Sequence, residues 1–215
     1  MRDDDFLFWE TLKRDEKEKR KKKLFLHACC GPCLTYPFSL LCRVYDVTVG
    51  YINPNIQPLS EYDRREETLQ SFLFRYSRDE NVSYSLVTIK EDFETYRERF
   101  QCRYKDRENG MTCLLCHEYR MDLSYRYAHE HGFDLFTTVM TVSSKKPSRD
   151  LNDIGERLSH KYPGTSYLFS DFKKHDGQLK GIQIARKYGL YRQNYCGCFA
   201  SLLEREEILS KKRKV

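Results

Sequence analysis

The stretch "LFLHACCGPC" (residues 24–33) runs from a short apolar segment directly into three cysteines within five positions. "LFLHA" reads as a buried strand. The "CC" that follows, with Gly31 and Pro32 behind it, must leave strand geometry, because neighbours on a strand face opposite ways. "LTYPFSLLCRVY" (residues 34–45) supplies a helix-like segment, and "DVTVGYIN" (residues 46–53), rich in β-branched and aromatic side chains, a second strand. A strand, a crossing helix and another strand predict a parallel sheet. The sulfur then falls at the carboxyl end of its first strand, the edge where open α/β sheets bind ligands.

Working outward, the alternation persists. "NPNIQP" breaks the chain after the second strand, and Ser60 caps an amphipathic helix that runs to about Arg78. "VSYSLVTI" (residues 82–89) is the third strand, and Asp92 opens another helical piece. A helix over residues 112–131 is stopped by Gly132. "FDLFTTVMT" (residues 133–141) is the fourth strand, residues 151–162 a helix, and "SYLFSDF" (residues 166–172) a fifth strand or extended segment. "GIQIARKYGL" and "SLLEREEILSKKRK" are helical on either side of "YRQNYCGC". With no repeat and no long linker, the expectation is a single α/β domain: a mostly parallel sheet flanked by helices over residues 24–205, a charged leader at 1–23 and a basic tail at 206–215.

The formal charge of +6 is uneven. Residues 1–23 hold nine Lys/Arg and seven Asp/Glu, and the tail "KKRKV" adds four positive charges, leaving 25 of each sign in residues 24–210. A polyanion would therefore be met by local patches and mobile ends, not by a globally basic surface. Solvated ends of a soluble protein are the bland alternative, and "KKRKV" also has the look of a nuclear localisation signal. No segment approaches the roughly 20 apolar residues of a membrane helix, and the N-terminus has no secretory signal. A soluble, cytoplasmic protein without membrane association is expected.

Nine cysteines in such a chain point to metal or redox chemistry, and disulfides are not expected. Cys42 and Cys102 stand alone and suit buried free thiols. The other seven form three groups: Cys29, Cys30 and Cys33; Cys113 and Cys116, three apart at a helix start; Cys196 and Cys198, joined by Gly197. If the groups converge, four complete one closed site and three remain for a second metal with an open position. Two zinc ions bracing the fold are the alternative, but two closed sites want eight ligands, and His27 or His117 would have to complete the set.

These motifs, "HACCGPC", "YINPNIQPLSEYDRR", "CLLCHEYR", "TTVMTVSSKK" and "GLYRQNYCGCFAS", resemble the epoxyqueuosine reductases of the QueH type, over about residues 24–205. The resemblance implies a HUP-like, Rossmann-related fold and an oxidoreductase that completes queuosine in tRNA. It implies a 4Fe–4S cluster held by Cys29, Cys30, Cys113 and Cys116, beside a mononuclear iron held by Cys33, Cys196 and Cys198. Some members carry Asp at the position of Cys33, which keeps an anionic ligand. Electrons would come from an external donor. Neither GxxxxGK[ST] nor GxGxxG occurs, so no ATP is expected. Tyr191, Tyr195 and Asp171 are the candidate proton donors. Asn53, Asn55, Glu61, Tyr62 and Arg65 are placed to read the base or a phosphate, and Arg192, Lys145, Lys146, Lys173 and Lys174 to meet tRNA phosphates. An iron–sulfur tRNA thiolation enzyme and a zinc-stabilised RNA-binding module are the rival readings.

Overall fold

The computed structural model describes residues 2–90, 93–100 and 110–212. Cys102, Asp92 and the end of the basic tail lie outside them. Five strands form one parallel sheet: β1 (Lys23–His27), β2 (Asp46–Tyr51), β3 (Ser85–Thr88), β4 (Leu135–Thr138) and β5 (Ser166–Tyr167), in the order β3-β2-β1-β4-β5. The first strand is thus central, paired with β2 on one side and β4 on the other. The order reverses at the β1/β4 junction, where an open α/β sheet offers its ligand crevice.

Alternation along β1 builds two cores. Leu24 and Leu26 turn toward α2 (Gly31–Val44) and α3 (Leu59–Glu80), packing with Leu34, Phe38, Leu69 and Phe72. Phe25 turns the other way, toward α5 (Met111–Glu130) and α6 (Ser148–Lys161), and joins Tyr125, Phe136, Leu151 and Ile154. The Phe25 ring leaves no room on β2: a Cβ on Gly50 would lie 2.2 Å from its Cζ. Helices therefore cover both faces, in a Rossmann-like arrangement. Two shorter helices, α4 (Phe93–Phe100) and α7 (Gly177–Lys187), pack on α5 and α2 respectively, and α8 (Phe199–Lys212) follows at the C-terminal end. Among the described residues no helix is long and apolar enough to cross a membrane.

Some boundaries differ from the sequence reading. Pro58, not Ser60, occupies the N-cap of α3. The fourth strand ends at Thr138, whose hydroxyl caps a 3-10 helix over Val139–Val142. β5 is only two residues long, pairing with Leu135 and Phe136 of β4. The charged leader contains a helix, α1 (Asp4–Glu16), that docks on the core through Phe8 and Leu12.

Candidate metal centre

Strand β1 delivers its last residue, His27, to the sheet edge, where Ala28 still donates to the Gly50 carbonyl at 2.9 Å. Cys29 follows, and Cys30 is the extended N-cap of α2. The helix starts at Gly31, and Cys33 lies within its first turn. This strand-to-helix corner folds three side chains onto one point: the sulfurs of Cys29, Cys30 and Cys33 all lie within 4.8 Å of one another, with Cys29 and Cys30 3.9 Å apart. For thiolates at about 2.3 Å from one ion, tetrahedral edges are about 3.8 Å. The trio therefore fits three corners of a soft metal site and leaves the fourth open.

The trio shares its negative charge unequally. Hydrogen bonds from Cys30 and Cys33 hold the Cys29 thiol well below its usual range despite burial, and Lys146 and Arg120 add to the effect. Burial, with Cys29 beside it, pushes Cys30 up to about 12. Cys29 and Cys30 likewise raise Cys33. Gln193 Nε2 donates to Cys30 Sγ at 2.9 Å. Behind the sulfurs, His27 Nδ1 is bonded to Thr138 Oγ1 at 3.0 Å, and burial lowers its pKa to about 3, so the ring is neutral. His117 is 5% exposed and is also held neutral, first by burial and then by Lys146 and Arg120.

The second group stands at the start of α5. Cys116 is buried and accepts a hydrogen bond from Tyr96 on α4 at 3.3 Å. Burial pushes its thiol up to about 12, with Cys196 and Cys198 contributing, which brings the second and third groups within electrostatic reach. Cys113 lies one turn earlier on the same helix.

The third group is held by α3. Arg65, 1% exposed, donates from Nη1 to the Cys196 carbonyl at 2.9 Å and from Nη2 to the Tyr195 carbonyl at 3.2 Å, while its Nε pairs with Glu61 at 2.7 Å. Glu61 also accepts from the Tyr191 hydroxyl at 3.0 Å. Gly197 has φ +127°, and its carbonyl accepts from Gln57 N at 2.8 Å. Only glycine takes that backbone without strain.

Cys29, Cys33 and Cys196 open on one cavity of about 730 Å³. Its walls include Gln193, Tyr195 and five cations, Arg120, Lys145, Lys146, Arg186 and Arg192, with no Asp or Glu among them. Lys146 stays protonated: burial opposes its charge, but Cys196, Cys29 and Cys33 outweigh that and raise its pKa. Two buried atoms of cavity-lining residues, Arg120 Nε and Gln193 Oε1, have no protein partner. A polar occupant is what such orphans accommodate.

The candidate residues thus divide. Lys146, Arg192 and Tyr195 line the cavity, as does Lys145. Asn53 is buried, donating to the Ala28 carbonyl at 2.9 Å and accepting from Arg120 at 2.6 Å. Glu61, Arg65 and Tyr191 form the buttress of the Cys196 loop. Asn55 is 1% exposed with both amide atoms unpartnered, its Nδ2 3.4 Å from where a Cβ on Gly197 would lie. Tyr62 packs on Tyr51 with its hydroxyl buried and unpartnered. Asp171 does not line the cavity; it accepts from Ser148 at 2.8 Å and pairs with Lys173 at 2.9 Å. Lys174 lies 3.8 Å from Asp5 on α1. Arg120 and Gln193 are site residues that the motifs did not single out. The position of Arg120, four residues after Cys116, was the available signal.

Fold and site together define a Rossmann-like α/β protein with a candidate thiolate metal centre at its switch point. The chain belongs to the family whose model is described as "Epoxyqueuosine reductase QueH", which matches residues 24–204. It is similar to the epoxyqueuosine reductase QueH of Staphylococcus aureus strain Mu50, 35% identical over 196 residues that cover 87% of this chain and 79% of the relative. The Streptococcus pyogenes serotype M1 protein of that name is 34% identical over 183 residues, 85% of this chain and 71% of the relative. For the Thermotoga maritima protein the identity is 33% over 185 residues, 86% and 92% of the two chains.

Proposed function

We propose that this protein is an epoxyqueuosine reductase that acts in the cytoplasm on epoxyqueuosine in the wobble position of tRNA. The reaction converts the epoxide to an alkene: two C–O bonds break, a C=C bond forms, and the oxygen leaves as water after uptake of two electrons and two protons. The observation that carries this reading is the opening of Cys29, Cys33 and Cys196, from two distant parts of the chain, onto one cation-lined cavity.

The ligand division proposed follows the family resemblance and not the spacing of the trio: Cys29, Cys30, Cys113 and Cys116 for a 4Fe–4S cluster, with Cys33, Cys196 and Cys198 for a single iron. When bound, these groups supply electrons relayed from an external donor and a Lewis acid for the epoxide oxygen. The chain's own residues do the rest. Lys146 faces the sulfurs and holds a proton at Nζ for the departing oxygen. Tyr195 lines the cavity with its hydroxyl fixed on the Gln57 carbonyl. Arg192, Lys145 and Arg186 at the exposed wall suit the phosphates flanking a splayed-out nucleotide. Asp171 and Tyr191, bonded to Ser148, Lys173 and Glu61, serve as scaffold.

Nucleoside analysis of tRNA from cells lacking the protein tests the proposal. Epoxyqueuosine is expected to accumulate, to disappear on complementation, and to persist with Cys196→Ala. Queuosine at normal levels in cells without this or any second reductase overturns it. Anaerobic purification adds a second arm: iron with acid-labile sulfide supports the reductase, whereas a colourless zinc protein removes it.

A further inference from the structure

Arg120 is tied to all three thiol groups. It stands on α5 one helical turn after Cys116, so the two share a face. Its Nη2 donates to Asn53 Oδ1 at 2.6 Å, and Asn53 Nδ2 donates to the carbonyl of Ala28, the residue before Cys29, at 2.9 Å. Its side chain lines the cavity beside Cys29, Cys33 and Cys196. Yet the residue is 1% exposed, its Nε is buried without a partner, and among the described residues no carboxylate pairs with it. A guanidinium withdrawn from water and given only an amide oxygen is costly unless an anion lies beside it. In this cavity the anions are sulfur.

Resting on the reading that the cysteines hold an iron–sulfur centre, we propose that Arg120 is the fixed counter-cation of that centre and sets its reduction potential. Asn53 is the tether that keeps the guanidinium in place, and the unpartnered Nε–H is the donor left for sulfur. The role is positioning and electrostatic. A fixed positive charge stabilises the reduced, more negative state over the oxidised one, so it raises the potential. Lys146 reaches the same sulfurs from the loop after β4, but Arg120 is the buried one, held on a helix and by a hydrogen bond.

The test is a potentiometric titration of the anaerobically reconstituted protein, followed by electron paramagnetic resonance, with iron and sulfide counted in each sample. Arg120→Gln is expected to shift the one-electron equilibrium at least tenfold toward the oxidised state, which is about 59 mV in midpoint. Arg120→Lys, which keeps the charge, is expected to move it less than about threefold. A loaded R120Q protein with the wild-type midpoint overturns the inference. If R120Q does not fold, Asn53→Ala, which keeps the charge but releases it, is expected to lower the midpoint by at least about threefold in equilibrium constant, and an unchanged midpoint overturns the inference equally. Wild-type protein without iron or sulfide removes the metal reading and this inference together. Loaded wild type beside an unshifted R120Q removes this inference alone.

Discussion

Replacing Arg65 with Met should cost about 4 kcal/mol of stability, because it strips the buttress from the Cys196 loop. The Arg65 and Glu61 side chains are 1% and 10% exposed, so the substitution leaves a nearly buried carboxylate without its cation. Removing one partner of a buried pair costs about 3–5 kcal/mol. The carbonyls of Tyr195 and Cys196 lose their donors as well, each worth about 1–3 kcal/mol if it stays dry. Against this, the Tyr191 hydroxyl still donates to Glu61, and the freed loop can reach water, so the sum falls well short of additive. Urea unfolding at neutral pH measures the loss. The double variant R65M/E61Q separates charge from packing: it removes the stranded carboxylate but keeps an acceptor for Tyr191, and it should recover about 2 kcal/mol. A loss under about 1 kcal/mol for R65M, or a double variant no more stable than the single one, would refute the buttress.

Gly197→Ala should cost roughly 2 kcal/mol from its φ of +127°. Its new Cβ would also meet Arg65 Nη1 and Ile56 Cγ1 at 3.0 Å, so metal uptake by the cysteines should fall along with the urea midpoint. Phe8→Ala removes a side chain 3% exposed that packs edge-on against Phe172 at 5.4 Å, and a loss of roughly 3 kcal/mol is expected in the same assay; wild-type stability would show that α1 is not docked. Asp15 supplies a pH dependence. Burial would raise its pKa, but hydrogen bonds from Lys22, Arg14 and Tyr45 prevail and lower it. The folded state thus favours the carboxylate, so its contribution is complete above the unfolded value of about 3.9 and is lost as pH falls through the lower folded value. The stability difference between wild type and Asp15→Asn should be flat above about pH 5 and shrink below about pH 4; a difference that grows on acidification contradicts the sign.

The sheet was legible because its strands are short apolar runs between clear punctuation, and Gly132, at φ +66° after α5, stops its helix as its position implied. The fifth strand was overlong in the sequence for a reason no local pattern carries. It pairs with β4 alone, the ladder stops at Phe136 and Tyr167, and beyond it come only a bond from Leu168 N to the Phe136 carbonyl and one from the Thr137 hydroxyl to the Leu168 carbonyl. The leader hid its helix because Phe8 and Leu12, one turn apart, sit among 16 charged side chains. At the site, cysteine spacing marked the sulfur, but polar residues beside it were ambiguous. Asn53, Glu61 and Arg65 have the composition of ligand contacts, and burial makes them braces. Arg120 belongs to a helix rich in charge, where its spacing from Cys116 was the one sequence signal and only the fold's burial of it gives that spacing weight.

The three thiol groups have a placement in common that explains why this strand-end suits sulfur more than phosphate. Cys30 immediately precedes α2, Cys113 and Cys116 lie in the opening turns of α5, and Cys198 immediately precedes α8. Each helix start offers roughly half a positive charge, which favours a thiolate there against the burial that raises Cys30, Cys116 and Cys198. The usual use of such a start at the end of a central strand is to cradle phosphate with backbone N–H groups. Pro32 in the first turn of α2 removes one of those donors, and the side chains of Cys29, Cys30 and Cys33 converge there. Add the buried Arg120 and the cavity-lining Lys146, and the site holds more positive charge than a single Cys29 thiolate balances. A centre in which metal binding ionises the remaining thiols restores that balance, because bound cysteines are thiolates and their summed charge exceeds that of the metal they surround.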